Sequence, residues 1–130
     1  MLNKLKNLFN KGDDENPHLP ETLSYQFRLL VDNIEVGTLR CKGGYWFFKY
    51  SDEFKKHIQE YKPITEFPDL EKEYQGVFLW PFFKIRIPGL KQPAIQEIIQ
   101  RENIDQDNEA ALLKRFGERT IANPYQLLAS

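Results

Sequence analysis

One cysteine, Cys41, stands in 130 residues, so no intrachain disulfide can form, and with only His18 and His57 beside it a structural zinc site lacks ligands. That usage fits a reducing compartment. Charge of one sign is also missing. Eighteen basic residues face 19 acidic ones, for a net charge of -1, so no global field draws in nucleic acid or an anionic membrane surface. No apolar run approaches the roughly 18 residues of a membrane span. The opening stretch Met1 to Phe9 interleaves Lys and Asn with its apolar residues, which leaves it without the continuous apolar core of a signal peptide. A cytoplasmic location with no membrane partner is expected. Glycine is sparse, and none of it forms a GxxxxGK[ST] or GxGxxG phosphate loop; Gly43-Gly44 reads as a hairpin turn.

Aromatic residues are plentiful, at 14%. They concentrate in Phe78, Trp80, Phe82 and Phe83, ahead of Lys84-Ile85-Arg86-Ile87 and a Pro88-Gly89 turn. Each aromatic side chain carries roughly 150–250 Å² of surface to bury. This run is therefore either the centre of the core or a surface meant for another protein. The length suits a single domain.

In chain order, residues 1–22 read as an N-terminal extension and linker, and residues 23–130 as one domain. Leu2, Leu5, Leu8 and Phe9 have helical spacing, and the Gly12 to Pro20 stretch mixes turn formers with acids. The extension is either frayed or a docking arm that orders on a partner. From Leu23 the period becomes two: Leu23, Tyr25, Phe27, Leu29 and Val31 share one face of a strand. Asp32-Asn33 turns the chain into a second strand, Ile34 to Arg40, and Lys42-Gly43-Gly44 into a third, Tyr45 to Tyr50. Trp46, Phe48 and Tyr50 take one face of this third strand, and Tyr45, Phe47 and Lys49 the other, so a cover is expected on both.

Ser51 or Asp52 caps a short helix carrying Phe54, Ile58 and Tyr61, and Lys62 to Gly76 reads as a solvated acidic loop. One or two helical turns are expected from Pro81 to Ile87, with Phe82, Phe83, Ile85 and Ile87 as a core hinge, ending before Pro88. Pro93 opens a helix to about Glu102 with the stripe Ile95, Ile98 and Ile99. Asp107 caps another in which Ala111, Leu112, Leu113 and Phe116 face inward and Gly117 closes it. Thr120 to Leu128 is expected as an edge strand interrupted by Pro124. The fold class is α+β: an antiparallel three-strand meander plus a C-terminal edge strand, packed with three or four short helices.

Catalytic constellations are absent from the pattern. Cys41 reads as a small hydrophobe and His57 as an exposed helix residue. The carboxylate pairs Asp13-Asp14 and Asp105-Asp107 fall in a loop and at a helix cap. No catalytic, cofactor-binding or metal-binding residue is assigned, no cofactor is expected, and the chain is read as a non-enzyme.

Five short motifs in order carry a resemblance. They are Val36-Gly37-Thr38-Leu39, Phe48-Lys49-Tyr50-Ser51-Asp52-Glu53-Phe54, the loop holding Pro63 and Pro68, Phe82-Phe83-Lys84-Ile85-Arg86-Ile87-Pro88-Gly89, and Leu112-Leu113-Lys114-Arg115-Phe116-Gly117. Over about residues 24–128 the chain resembles the N-terminal subdomain of the HipA-type serine/threonine kinase toxins. That family shows a VGxL strand, an F-x-Y-x-x-x-[WF] junction, an FFxNLLPxG-like segment and an LLxxxG helix. Gly89 replaces the family's acidic residue, and Glu118 to Asn123 departs from its D-x-x-G-A-V segment. No kinase catalytic loop or magnesium-binding Asp is present.

A free-standing copy of this subdomain is similar to HipS, the small component of HipBST-type toxin–antitoxin systems. The resemblance implies a protein that binds a HipA/HipT-like kinase, with or without a HipB-like DNA-binding protein alongside, and with no direct nucleic-acid contact. It implies that a tryptophan reaches the kinase active site. Trp80 is the matching residue, with Pro81, Pro88 and Gly89 as companions on the partner surface, unless the indole packs on the domain's own sheet. The other readings are a structural half of a split HipA-type kinase and an unrelated small-molecule-binding domain.

Overall fold

The computed structural model describes residues 24–130. The helix expected over residues 2–9, the linker after it and Leu23 lie outside them. The elements run β1 (Ser24–Val31), β2 (Ile34–Lys42), β3 (Tyr45–Tyr50), α1 (Asp52–Lys55), β4 (Tyr74–Gly76), α2 (Pro81–Lys84), α3 (Pro93–Glu102), α4 (Glu109–Phe116) and β5 (Gln126–Ala129). The strands form one antiparallel sheet in the order β4-β3-β2-β1-β5. This is the α+β meander expected, with β5 at an edge.

The two hairpins have two-residue loops whose central residues all sit at positive φ: Asp32 (50°) and Asn33 (67°), then Gly43 (61°) and Gly44 (82°). Such turns match the right-handed twist of the strands, and Asn, Asp and Gly tolerate the conformation best. Period two holds along β1 until a bulge. Leu29 pairs with Gly37 and Leu30 with Glu35, which leaves Val36 as the extra residue on β2. Val36 and Gly37 are consequently both buried.

On the inner face Phe27, Leu29, Leu39, Cys41, Trp46, Phe48 and Tyr50 pack against Phe54, Phe67, Leu79, Phe83, Ala110, Leu113 and Leu127. Phe48 stacks on Phe67 with centroids 4.5 Å apart and lies 5.7 Å from Phe83. Tyr50 keeps its hydroxyl satisfied in this core, donating to Phe67 O (2.7 Å) and accepting from Ile64 N–H (2.9 Å).

Those two bonds correct the expected solvated loop at 62–76. Ile64 and Phe67 are buried, and Tyr74–Gly76 adds a short edge strand beside β3. The loop acids are engaged as well: Glu71 pairs with Lys55 (3.0 Å) and Glu73 with Arg40 (2.9 Å). The expected cover on the second face of β3 is absent among the described residues, where Tyr45 and Lys49 are exposed.

Ser51, not Asp52, caps α1, its Oγ accepting from Phe54 N–H at 3.0 Å. The helix is one turn long, and Ile58 and Tyr61 meet the core from the turns after it. Pro93 does open α3, which closes on Asn103 at φ 54°. Of the α3 stripe only Ile99 is fully buried.

The cap of α4 is Asn108 rather than Asp107. Asn108 is buried, accepts from Ala111 N–H (3.1 Å) and donates toward Tyr25 Oη (3.5 Å). A carboxylate there would be buried without a cation, whereas an amide both caps and donates. Ala110, Leu112 and Leu113 form the buried side of α4, with Ala111 and Phe116 half-buried. The C-terminal strand is shorter than expected: Thr120 and Asn123 make an isolated bridge, and pairing with β1 begins only after Pro124.

Candidate partner-binding surface

Pro81 starts α2 because its fixed φ suits the first helical position and the amide hydrogen it lacks would have no helical partner. Trp80 occupies the cap position in extended conformation with no side-chain cap bond. Its carbonyl accepts from the N–H groups of Phe83 and Lys84, both at 3.0 Å. The missing cap comes from across the chain, since Glu66 Oε2 accepts from Phe82 N–H at 3.0 Å.

The indole of Trp80 is half-buried, edge-on to Phe67 at 5.1 Å and 82°. A Cβ on Gly76 would lie 3.7 Å from its Cζ2. Phe83 is fully buried, and Phe82 and Ile87 are half-buried against the core. Ile85 departs from the expected core hinge: it is 52% exposed, because one turn of helix cannot put Phe82, Phe83, Ile85 and Ile87 on the same side. Pro81 and Gly89 are exposed.

Between this segment and α4 runs an apolar groove of about 380 Å³, lined by Phe78, Ile87, Pro88, Leu90 and Leu112. Lys84 and Glu109 form an ion pair of 3.7 Å on its lining. Of the four residues assigned to a partner surface, Pro88 lines this groove, and Trp80 adjoins the core two residues beyond Phe78. Phe78 itself is 63% exposed, and Val77 beside it is exposed too. Sequence reasoning placed Phe78 in the aromatic run without singling it out. No signal in the sequence separates it from Leu79, which also precedes the helix start and yet is buried.

The second residue the sequence concealed is Arg86, only 4% exposed. Its guanidinium donates to Gly117 O (3.1 Å), Glu118 O (3.3 Å), Asn123 Oδ1 (3.1 Å) and Tyr125 O (3.0 Å), while Nε has no partner. Burial lowers its pKa to about 10, so it stays protonated at neutral pH. It thereby ties the exit of α2 to the entire approach of β5.

Cys41 is fully buried on β2, and burial pushes its thiol up to about 11. His57 sits in the turns after α1, its Nδ1 3.0 Å from Glu60 Oε1. No group of three His, Cys, Asp or Glu among the described residues could hold a metal ion. No helix among them is long and apolar enough to cross a membrane.

A search of curated proteins found no match to the chain. A family model of the HipA N-terminal domain does match, over residues 27–122. That span takes in the meander from Phe27 on, the bulged β2 with Gly37, the buried Phe83, Arg86 with its acceptors at Gly117 and Glu118, and the helix ending at Gly117. The chain belongs to the HipA N-terminal domain family.

Proposed function

We propose that this chain is a non-catalytic, HipS-like binding protein of the cytoplasm that associates with a HipA/HipT-type serine/threonine kinase toxin and neutralises it by masking its active site. Residues 23–130 are the binding unit, with residues 1–22 as its extension. The observation that carries the reading is the apolar surface centred on Phe78 and the groove beside Pro88, on a chain that belongs to the HipA N-terminal domain family. Trp80, Pro81, Pro88 and Gly89 contribute to the contact, with Phe78 as an added anchor. Aromatic anchors that become desolvated dominate interface energies, and covering what Phe78 leaves exposed is worth up to about 3 kcal/mol.

The test is co-purification with a HipA-type kinase followed by an autophosphorylation assay. One equivalent of the chain is expected to suppress autophosphorylation, and Trp80→Ala to weaken both binding and suppression at least tenfold. Stimulation in place of suppression would mean a split kinase. Trp80→Ala with both properties intact would remove Trp80 from the contact.

A further inference from the structure

The sheet has two faces, and Phe54 of α1, Phe83 of α2 and Ala110 and Leu113 of α4 join the cluster on one of them. On the other face the register places Lys42 beside Tyr45, Arg40 beside Phe47 and Lys49 beside Thr38. Arg28 follows across Thr38, with Leu128 beyond it on β5. Two of these cations are committed: Arg28 to Glu35 (3.1 Å) and Arg40 to Glu73 (2.9 Å). Lys42 and Lys49 pair with no carboxylate among the described residues. A chain with net charge -1 thus exposes a locally cationic face, set around Tyr45, Phe47 and Leu128, which are not fully buried.

We propose that this open face is a second docking surface, for an acidic amphipathic segment of a partner protein. Along β3, Phe47 lies between Lys49 and Tyr45, and Lys42 stands across from Tyr45. Four residues of strand span about 14 Å. Two carboxylates two to three helical turns apart on a partner, about 11–16 Å, with apolar side chains between them, bracket that spacing. A polynucleotide fits less well. Two uncommitted lysines neutralise few phosphates, two carboxylates share the face, and Arg40 already lies over the Phe47 ring, 4.8 Å from its centroid. The face is on the other side of the sheet from the groove, so this inference stands apart from the kinase reading.

The experiment uses the full 130-residue chain, ¹⁵N-labelled, with three probes: a random glutamate–tyrosine copolymer, polyglutamate and a 20-nucleotide oligo(dT). The copolymer is expected to shift the amides of Thr38, Tyr45, Phe47 and Lys49. The double variant Lys42→Glu/Lys49→Glu, with an unchanged circular-dichroism spectrum and melting temperature, is expected to weaken it about tenfold, and Lys42→Arg/Lys49→Arg to preserve it. Five outcomes overturn the proposal. They are shifts confined to the groove, equal binding of polyglutamate, tighter binding of oligo(dT), no binding, and gain of binding only when Asp13, Asp14 and Glu15 are neutralised. The last would make the chain's own acidic stretch the occupant.

Discussion

Gly37 shows why one residue of the VGxL strand has to be small. A Cβ there would lie 2.5 Å from Lys49 O and 2.9 Å from Phe48 Cζ. The carbonyl belongs to the neighbouring strand and the ring is wedged between Phe67 and Phe83, so neither can give way. Gly37→Ala is expected to cost about 3 kcal/mol and lower the melting temperature by about 10 °C, as read by calorimetry. A loss below one degree would show that the strands can part there. Cys41 supplies a second residue-scale expectation. Burial raises its thiol from an ordinary 9 to about 11, and Tyr50 shifts upward for the same reason. The unfolded chain ionises first, so the Cys41 contribution is fully present below pH 9 and is lost as pH rises through 11, and that of Tyr50 is lost at higher pH still. Arg86, whose pKa falls, acts in the opposite sense above pH 10 and offsets part of that loss. Urea midpoints should hold steady between pH 7 and 8.5 and fall above 9. Ellman's reagent at pH 8 should label Cys41 only after unfolding.

Elements differed in how much the sequence disclosed. The first three strands were legible because alternation and turn chemistry agree: Phe27, Leu29 and Val31 against Arg28, and Asp32-Asn33 or Gly43-Gly44 where positive φ is needed. Pro93 marked the start of α3 for an equally local reason. The strand Tyr74–Gly76 was hidden, since three residues show no period and its existence depends on β3 lying alongside. Asn108 was passed over for Asp107 because burial against Tyr25, a residue 83 positions away, decides which of them caps. Arg86 was invisible for the same kind of reason, its four acceptors all lying between 117 and 125. At this scale Arg86→Leu is expected to cost about 3 kcal/mol by removing the donor to the carbonyls of Gly117 and Tyr125. Hydrogen exchange should then accelerate at β5 first, where Leu127 N–H is bonded to Glu118 O, before the β2–β3 amides follow. Uniform acceleration across the sheet would argue that Arg86 supports the core as a whole rather than the C-terminal segment.

At the scale of the molecule the aromatic run divides its labour. Phe83 belongs to the core, Phe82 and Trp80 lie at its margin, and Phe78 stands clear of it. This division was not legible in sequence, because the groove depends on Leu112 of α4 coming opposite Phe78. It allows the stability and binding roles of the run to be separated. Removing the Trp80 indole breaks its edge contact with Phe67, so Trp80→Ala should lower stability by about 2 kcal/mol as well as weaken a partner, and its binding loss alone is ambiguous. Phe78→Ser removes apolar surface that water already reaches, so stability should change by no more than about 0.5 kcal/mol. On the proposed reading the same change weakens kinase binding at least tenfold, because Phe78 buries its ring only in the complex. Chemical denaturation alongside titration calorimetry with the kinase measures both quantities. A Phe78→Ser protein that is stable and binds with unchanged affinity would take the groove out of the kinase contact and leave Trp80 to carry it without Phe78.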